Sequence, residues 1–301
     1  MSVSVSNLCK TYGQQLVLDN VSFQAMKGQI TGFLGPNGAG KSTTMKIAIS
    51  YIPANSGLVE VAGFNVNTHP LDVKRKVGYL PEHNPLYLDM YVLESLEFTS
   101  SVYKLGNARS RIDAVIEQVG LGTERNKKIG QLSKGYRQRV GLAQAIIHEP
   151  EVLILDEPLT GLDPNQIVEI RSLIKELGRD KTVIFSTHIM QEVETLCDKV
   201  IIINKGKIVA DKTLAELKTN NSNTRAIIIE FSRTENIIAL QALQGVIEAV
   251  ILSDNKVKLV HDISIDIRQD IFAWAQQNNN SILSLNTEEN TLESIFQKLT
   301  A

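Results

Sequence analysis

Nine residues, Gly35-Pro36-Asn37-Gly38-Ala39-Gly40-Lys41-Ser42-Thr43, constrain this chain more than any other stretch. They follow the apolar run Ile30-Thr31-Gly32-Phe33-Leu34 and precede Met45-Lys46-Ile47-Ala48-Ile49, which reads as a helix. Strand, glycine-rich loop and helix, with the spacing G-x-x-x-x-G-K-[ST], make a phosphate-binding loop. Glycines let successive backbone N–H groups turn inward without a Cβ clash, and the helix N-terminus adds partial positive charge. Lys41 is placed to reach the β- and γ-phosphates of a triphosphate, and the Ser42 hydroxyl to ligate Mg²⁺. An ordinary glycine-rich turn is the alternative, and the flanking strand and helix count against it.

A chain of 301 residues has room for about two domains, each with its own core. Lys and Arg together number 31 against 33 Asp and Glu, so no basic sheath for nucleic acid is implied. Cys9 and Cys197 lack C-x-x-C or Cys/His spacing and read as buried or free thiols rather than a disulfide or metal site. No apolar run comes near the ~18 residues that a membrane span needs. Residues 1–6 alternate like a strand and lack the apolar core of a signal peptide. The expectation is a cytoplasmic chain that meets a membrane only through a partner.

Residues 2–8, 15–25 and 58–66 read as strands separated by turn residues. From about Asn84 to Ile147 the pattern turns helical, with Asp89 as N-cap of a helix over 91–104 and a second helix over 108–119 ending at Gly120. Apolar strands at 152–155, 183–185 and 200–203 then alternate with helices at 165–178 and 189–197, which predicts a parallel sheet covered on both faces. Asn204-Lys205-Gly206-Lys207 reads as a hairpin turn, so a first domain is expected over 1–218. A polar linker, 219–224, precedes a second domain, 225–301, with the order strand, helix, strand, strand, helix, strand and a final helix at 291–299. That order suggests a ferredoxin-like module. Its six basic against ten acidic residues make nucleic acid an unsuitable ligand.

Two further stretches carry chemistry. The strand 152–155 runs into Asp156-Glu157-Pro158, where Asp156 is placed to support Mg²⁺ and Glu157 to accept a proton from an attacking water. A charged turn at a strand end is the bland alternative. Leu132-Ser133-Lys134-Gly135-Tyr136 precedes a helix, with Ser133 as a natural N-cap and Gly135 open to an approaching anion. A helix start beside solvent explains those residues equally well.

With these residues in view, the chain resembles the ATP-binding subunit of an ATP-binding-cassette (ABC) transporter. Gly35–Ser42 matches the Walker A loop, Leu132–Tyr136 the family signature and Val152–Glu157 the Walker B strand. Gly161-Leu162-Asp163 matches the D-loop, Ser186-Thr187-His188 the switch histidine, and Gly78-Tyr79-Leu80-Pro81-Glu82 the Q-loop. Tyr12 stands where the family stacks an aromatic on adenine. The seven elements keep the family's order over about 1–217.

The resemblance implies an α/β P-loop NTPase core with antiparallel β and helical subdomains, the helical one over about 84–147, followed by the small α+β ferredoxin-like domain. It implies a homodimer sandwich in which Walker A of one subunit and the signature of the other hold ATP. Lys41, Ser42 and the loop Gly35–Thr43 would act in cis, Asp156 and Glu82 would support Mg²⁺, Glu157 would polarise water and His188 would hold the γ-phosphate. Ser133 and Gly135 would contact that phosphate from the second subunit, and Asp163 would cross the interface. The structural alternatives stay open: Tyr12 as a strand-end aromatic, His188 as a strand-capping residue, Asp163 as the cap of the helix that Pro164 opens.

Two motifs depart from the family pattern, at three positions. Lys134 and Tyr136 stand where the signature carries Gly and Gln, and Glu82 replaces the Q-loop Gln. Both departures recur in exporter-type members. The ending Thr291–Thr300 is similar to ATPases that serve exporters with separate membrane subunits, and Gly78–Tyr87 is close to the ATPase subunit associated with bacterial gliding motility. The resemblance therefore implies an ATPase on the inner face of the membrane that powers a permease, with 84–105 receiving a permease helix. A soluble family ATPase acting on ribosomes or DNA is the rival, and the single Walker A without a long coiled coil counts against it. A non-hydrolysing regulatory subunit is disfavoured by Glu157 and His188.

Overall fold

A computed structural model of the chain describes residues 2–219, 224–233, 237–288 and 292–300. They divide into two units, Met1–Leu214 and Ala215–Leu299.

Alternating apolar residues start the first unit as a hairpin of β1 (Val3–Tyr12) and β2 (Gln15–Ala25). The wholly buried β3 (Ile30–Leu34) runs into the phosphate loop and α1 (Lys41–Ala48). After β4 (Ser56–Val61), β5 (Phe64–Asn65), α2 (Pro70–Lys76) and β6 (Val77–Leu80) come three helices: α3 (Val92–Val102), α4 (Ala108–Gln118) and α5 (Lys134–Ile146). The chain then alternates through β7 (Val152–Asp156), α6 (Pro164–Gly178), β8 (Thr182–Thr187), α7 (Met190–Leu196), β9 (Lys199–Asn204) and β10 (Lys207–Thr213).

One antiparallel sheet takes the order β2-β1-β4-β5, and a six-stranded sheet the order β10-β9-β3-β8-β7-β6. In the larger sheet only β10 pairs antiparallel. Every residue of β3, β7 and β8 is buried, as strands covered on both faces require. The register sets Leu34 beside Thr187 and Asp156 beside Ser186. The phosphate loop, Asp156 and His188 therefore leave the sheet side by side, at the carboxyl ends where open α/β sheets bind ligands.

Two local expectations fail for identifiable reasons. The strand expected over 58–66 breaks at Ala62 and Gly63, whose φ values of +51° and +83° turn it into a β4–β5 hairpin. Asp89 does not cap α3. The amides of Val92 and Leu93 donate to the carbonyls of Lys127 and Arg125, so the helix start needs no Asp cap. Tyr91 holds the N-cap position instead, and its amide donates to Glu94 at 3.1 Å.

After α8 (Leu214–Thr219), the second unit consists of β11 (Thr224–Phe231), α9 (Ile237–Gln241), β12 (Val246–Ser253), β13 (Lys256–Asp262), α10 (Arg268–Gln277), β14 (Ile282–Glu288) and α11 (Leu292–Thr300). Its sheet order is β12-β13-β11-β14, antiparallel throughout, the ferredoxin-like arrangement with its first and third strands central. Ile229, Leu259, Ile271 and Trp274 form its core, with the Phe231 and Trp274 rings 5.5 Å apart. The units divide at Leu214 rather than near 218, and the middle of the expected linker, 220–223, lies outside the described residues. Gln276–Asn280 is a helix end and turn; Asn280 accepts the hydroxyl of Ser232 at 2.9 Å. Both cysteines are free.

Candidate functional site

The phosphate loop keeps its shape because two glycines fit where nothing larger does. A Cβ on Gly35 would lie 2.4 Å from the Ile203 carbonyl, and one on Gly40 would lie 2.5 Å from Leu18 Cδ2. Gly40 also holds φ +110° as the N-cap of α1, a conformation that L side chains rarely adopt. Behind it Lys41 is 6% exposed, and its Nζ donates to the carbonyls of Gly35 at 2.6 Å and Pro36 at 3.2 Å. Burial pushes the Lys41 ammonium below its ordinary pKa, while Glu157, Asp156 and Glu82 pull the other way. The ammonium thus rests on the carbonyls of its own loop.

Facing it, the buried Asp156 accepts the Ser186 hydroxyl at 2.5 Å. The Glu157 amide donates to Ser186 Oγ at 3.0 Å, and Glu157 itself takes φ +51°. A left-handed conformation in a residue that is not glycine is strained, and such strain gathers at functional sites. Its carboxylate accepts the Thr160 hydroxyl at 2.9 Å, sits 3.0 Å from His188 Nδ1 through both oxygens, and lies 3.9 Å from Lys41 Nζ. Lys41, Ser42, Glu82, Glu157 and His188, with Asn37, Gly38 and Gly40, line one cleft of about 300 Å³. Ser42, Glu82 and Asp156 line a neighbouring one of about 430 Å³. Tyr79 lines that second cleft too, its hydroxyl pushed above the ordinary range by burial and by Asp156.

The other candidates stand apart from this cleft. Ser133 caps α5, accepting the Tyr136 amide at 3.3 Å, and Gly135 is buried against Gln166, whose Cδ would meet a Cβ there at 2.3 Å. Lys134 lies over Gly161, its Nζ 2.0 Å from where a Cβ would stand. Asp163 accepts the Gln166 amide at 2.9 Å and caps α6, which Pro164 opens. Tyr12 is 47% exposed, with Lys10 Nζ 5.1 Å from its ring centre. None of Tyr12, Ser133, Gly135 and Asp163 lines the Lys41 cleft. Sequence reasoning missed the bonds that Thr160 gives to Glu157 and Ser186 gives to Asp156; the second follows from the parallel pairing of β7 and β8, 30 residues apart, which leaves no local signature.

A family described as ABC transporter matches residues 18–160 of this chain. The linearmycin resistance ATP-binding protein LnrL of Bacillus subtilis is 33% identical over 307 aligned positions, covering 99% of this chain and 98% of that protein. The bacitracin transport ATP-binding protein BcrA of Bacillus licheniformis is 31% identical, covering 99% of this chain and 96% of that protein. Among solved structures, the ATP-binding subunit of an ABC transporter superimposes with a TM-score of 0.68 and 29% identity, covering 73% of this chain and 93% of that one. A bacterial ABC transporter cassette solved as a dimer gives 0.66 and 26%, covering 70% and 98%.

Proposed function

The chain belongs to the ABC transporter family as an ATP-binding subunit with ATPase activity, and we propose that it drives an export-type permease from the inner face of the membrane. Members of this kind dimerise and work with membrane partners, and no helix among the described residues is long and apolar enough to cross a membrane. Relatives named for linearmycin resistance and bacitracin transport support export. The likeness of Gly78–Tyr87 to gliding-motility subunits gives a second reading of the same ATPase, with a motility complex as partner.

The observation that carries the proposal is the convergence of Lys41, Glu157 and His188 on one cleft that Ser133 and Gly135 do not line. Loop amides from Gly35 to Thr43 and the α1 N-terminus bind the phosphates, and Lys41 leaves the Gly35 carbonyl for the β/γ oxygens. Mg²⁺ fits here on donor chemistry: Ser42, Glu82 and Asp156 bring hard oxygens to one cleft. Bound there, the ion would neutralise phosphate charge. Glu157 orients the attacking water and takes its proton, while His188, already against Glu157, holds the γ-phosphate. Tyr12 stacks on adenine. A second copy closes the site with Ser133 and Gly135, and Asp163 lies at the joint.

Substituting Glu157 by Gln removes the proton acceptor and leaves ATP binding, so this variant should form dimers in millimolar MgATP, seen by light scattering. A variant that stays monomeric there contradicts the proposal.

A further inference from the structure

Three consecutive residues at the end of β8 hold three different partners. Ser186 donates to Asp156, and His188 sits against Glu157. Thr187, fully buried between them, donates its hydroxyl to Glu192 Oε2 at 2.5 Å and accepts the Ile189 amide at 3.0 Å. A chain of two bonds, from the Ile189 N–H to the Thr187 hydroxyl to the Glu192 carboxylate, ties down the backbone beyond His188, beside the bond that the Glu192 amide gives to the Ile189 carbonyl at 3.2 Å. Glu192, on α7, is only 5% exposed and does not line the cleft. A buried carboxylate is costly unless it is hydrogen-bonded, and the Thr187 hydroxyl supplies that bond. Burial raises the pKa of the Glu192 carboxyl and the Thr187 bond lowers it; Glu157, Arg171 and His188 supply the surrounding charge.

We propose that Glu192 is a positioning residue for ATP hydrolysis, fixing through Thr187 the turn that presents His188 to Glu157. This rests on the roles given above to His188 and Glu157. Without an acceptor, the Thr187 hydroxyl would be buried and free to rotate, and the Ile189 amide would lose an oriented oxygen. Misplacement of a reacting group acts on turnover far more than on substrate binding.

The test uses the full chain with MgATP, reading phosphate release, ATP affinity and hydrogen exchange at the Ile189 amide. Glu192→Ala and Thr187→Val should each slow release about tenfold or more while ATP affinity stays within about threefold. The double variant should be no slower than either single one, because both break one chain. Glu192→Gln keeps an oxygen for the same bond and should recover to within about threefold of wild type. Ile189 exchange should quicken in the first two variants and not in the Gln variant. If Glu192→Ala does not fold, Thr187→Val, close to threonine in shape, carries the test. Wild-type turnover in Glu192→Ala or Thr187→Val, or unchanged Ile189 exchange, overturns the proposal. His188→Ala run alongside separates the two levels. If it hydrolyses normally, the role of His188 falls; if it is inactive while Glu192→Ala is normal, only the role of Glu192 falls.

Discussion

Lys41 shows how a residue suited to phosphate is poorly suited to the folded chain without it. Its ammonium is buried on two carbonyls of its own loop, and burial lowers its pKa from the ordinary 10.5. The unfolded chain thus holds that proton more tightly, so its burial costs stability that is regained as pH rises through the folded pKa toward 10.5. Lys41→Met should cut phosphate release by about a hundredfold or more in a phosphate assay. It also leaves the buried Glu157 without the cation 3.9 Å away, which offsets the stability gained by removing a buried charge. His148 makes a related case outside the cleft. It stacks on Tyr103 at 3.8 Å with Nε2 3.1 Å from the Val77 carbonyl, and burial lowers its pKa to about 4. The unfolded imidazole protonates first as pH falls below 6.5, so stability on the order of 2 kcal/mol should be lost between pH 6.5 and 4. His148→Phe should flatten that loss in urea titrations.

The central elements meet through close backbone approaches. Gly78 in β6 lies so near α5 that an added Cβ would stand 2.1 Å from the Ala145 carbonyl. Gly78→Ala should therefore cost about 1–3 kcal/mol, measured by denaturant midpoint, with no direct contact to the cleft. At this scale legibility followed sequence distance. The glycine loop and the Ser133 and Asp163 caps are local patterns, and the buried strands are continuous apolar runs; all were readable. Asp89 misled because the donors at the start of α3 are met by carbonyls of Arg125 and Lys127, more than thirty positions on. The β4–β5 break falls at Ala62-Gly63, and it was hidden because the apolar pattern runs on through Phe64 and Val66. Ser186 supports Asp156 across a separation of 30 residues, visible only once β7 and β8 are paired.

At the scale of the whole molecule, the first unit gathers Lys41, Glu157 and His188 in a cleft that Ser133 does not line; in the proposed function a second copy completes each site. The order of elements in the second unit was legible, since its alternation and turns are local, and its sheet takes the ferredoxin-like order. Its role was not legible, because its sequence carries no pattern of catalytic type. The most direct measurement mixes two inactive chains, Lys41→Ala and Ser133→Arg, and reads phosphate release. In a symmetric dimer half of the pairs are mixed, and each mixed pair keeps one intact site of two, so about a quarter of the wild-type rate should return. A mixture no more active than its parts would mean that Lys41 and Ser133 do not meet across two copies, and would contradict the account.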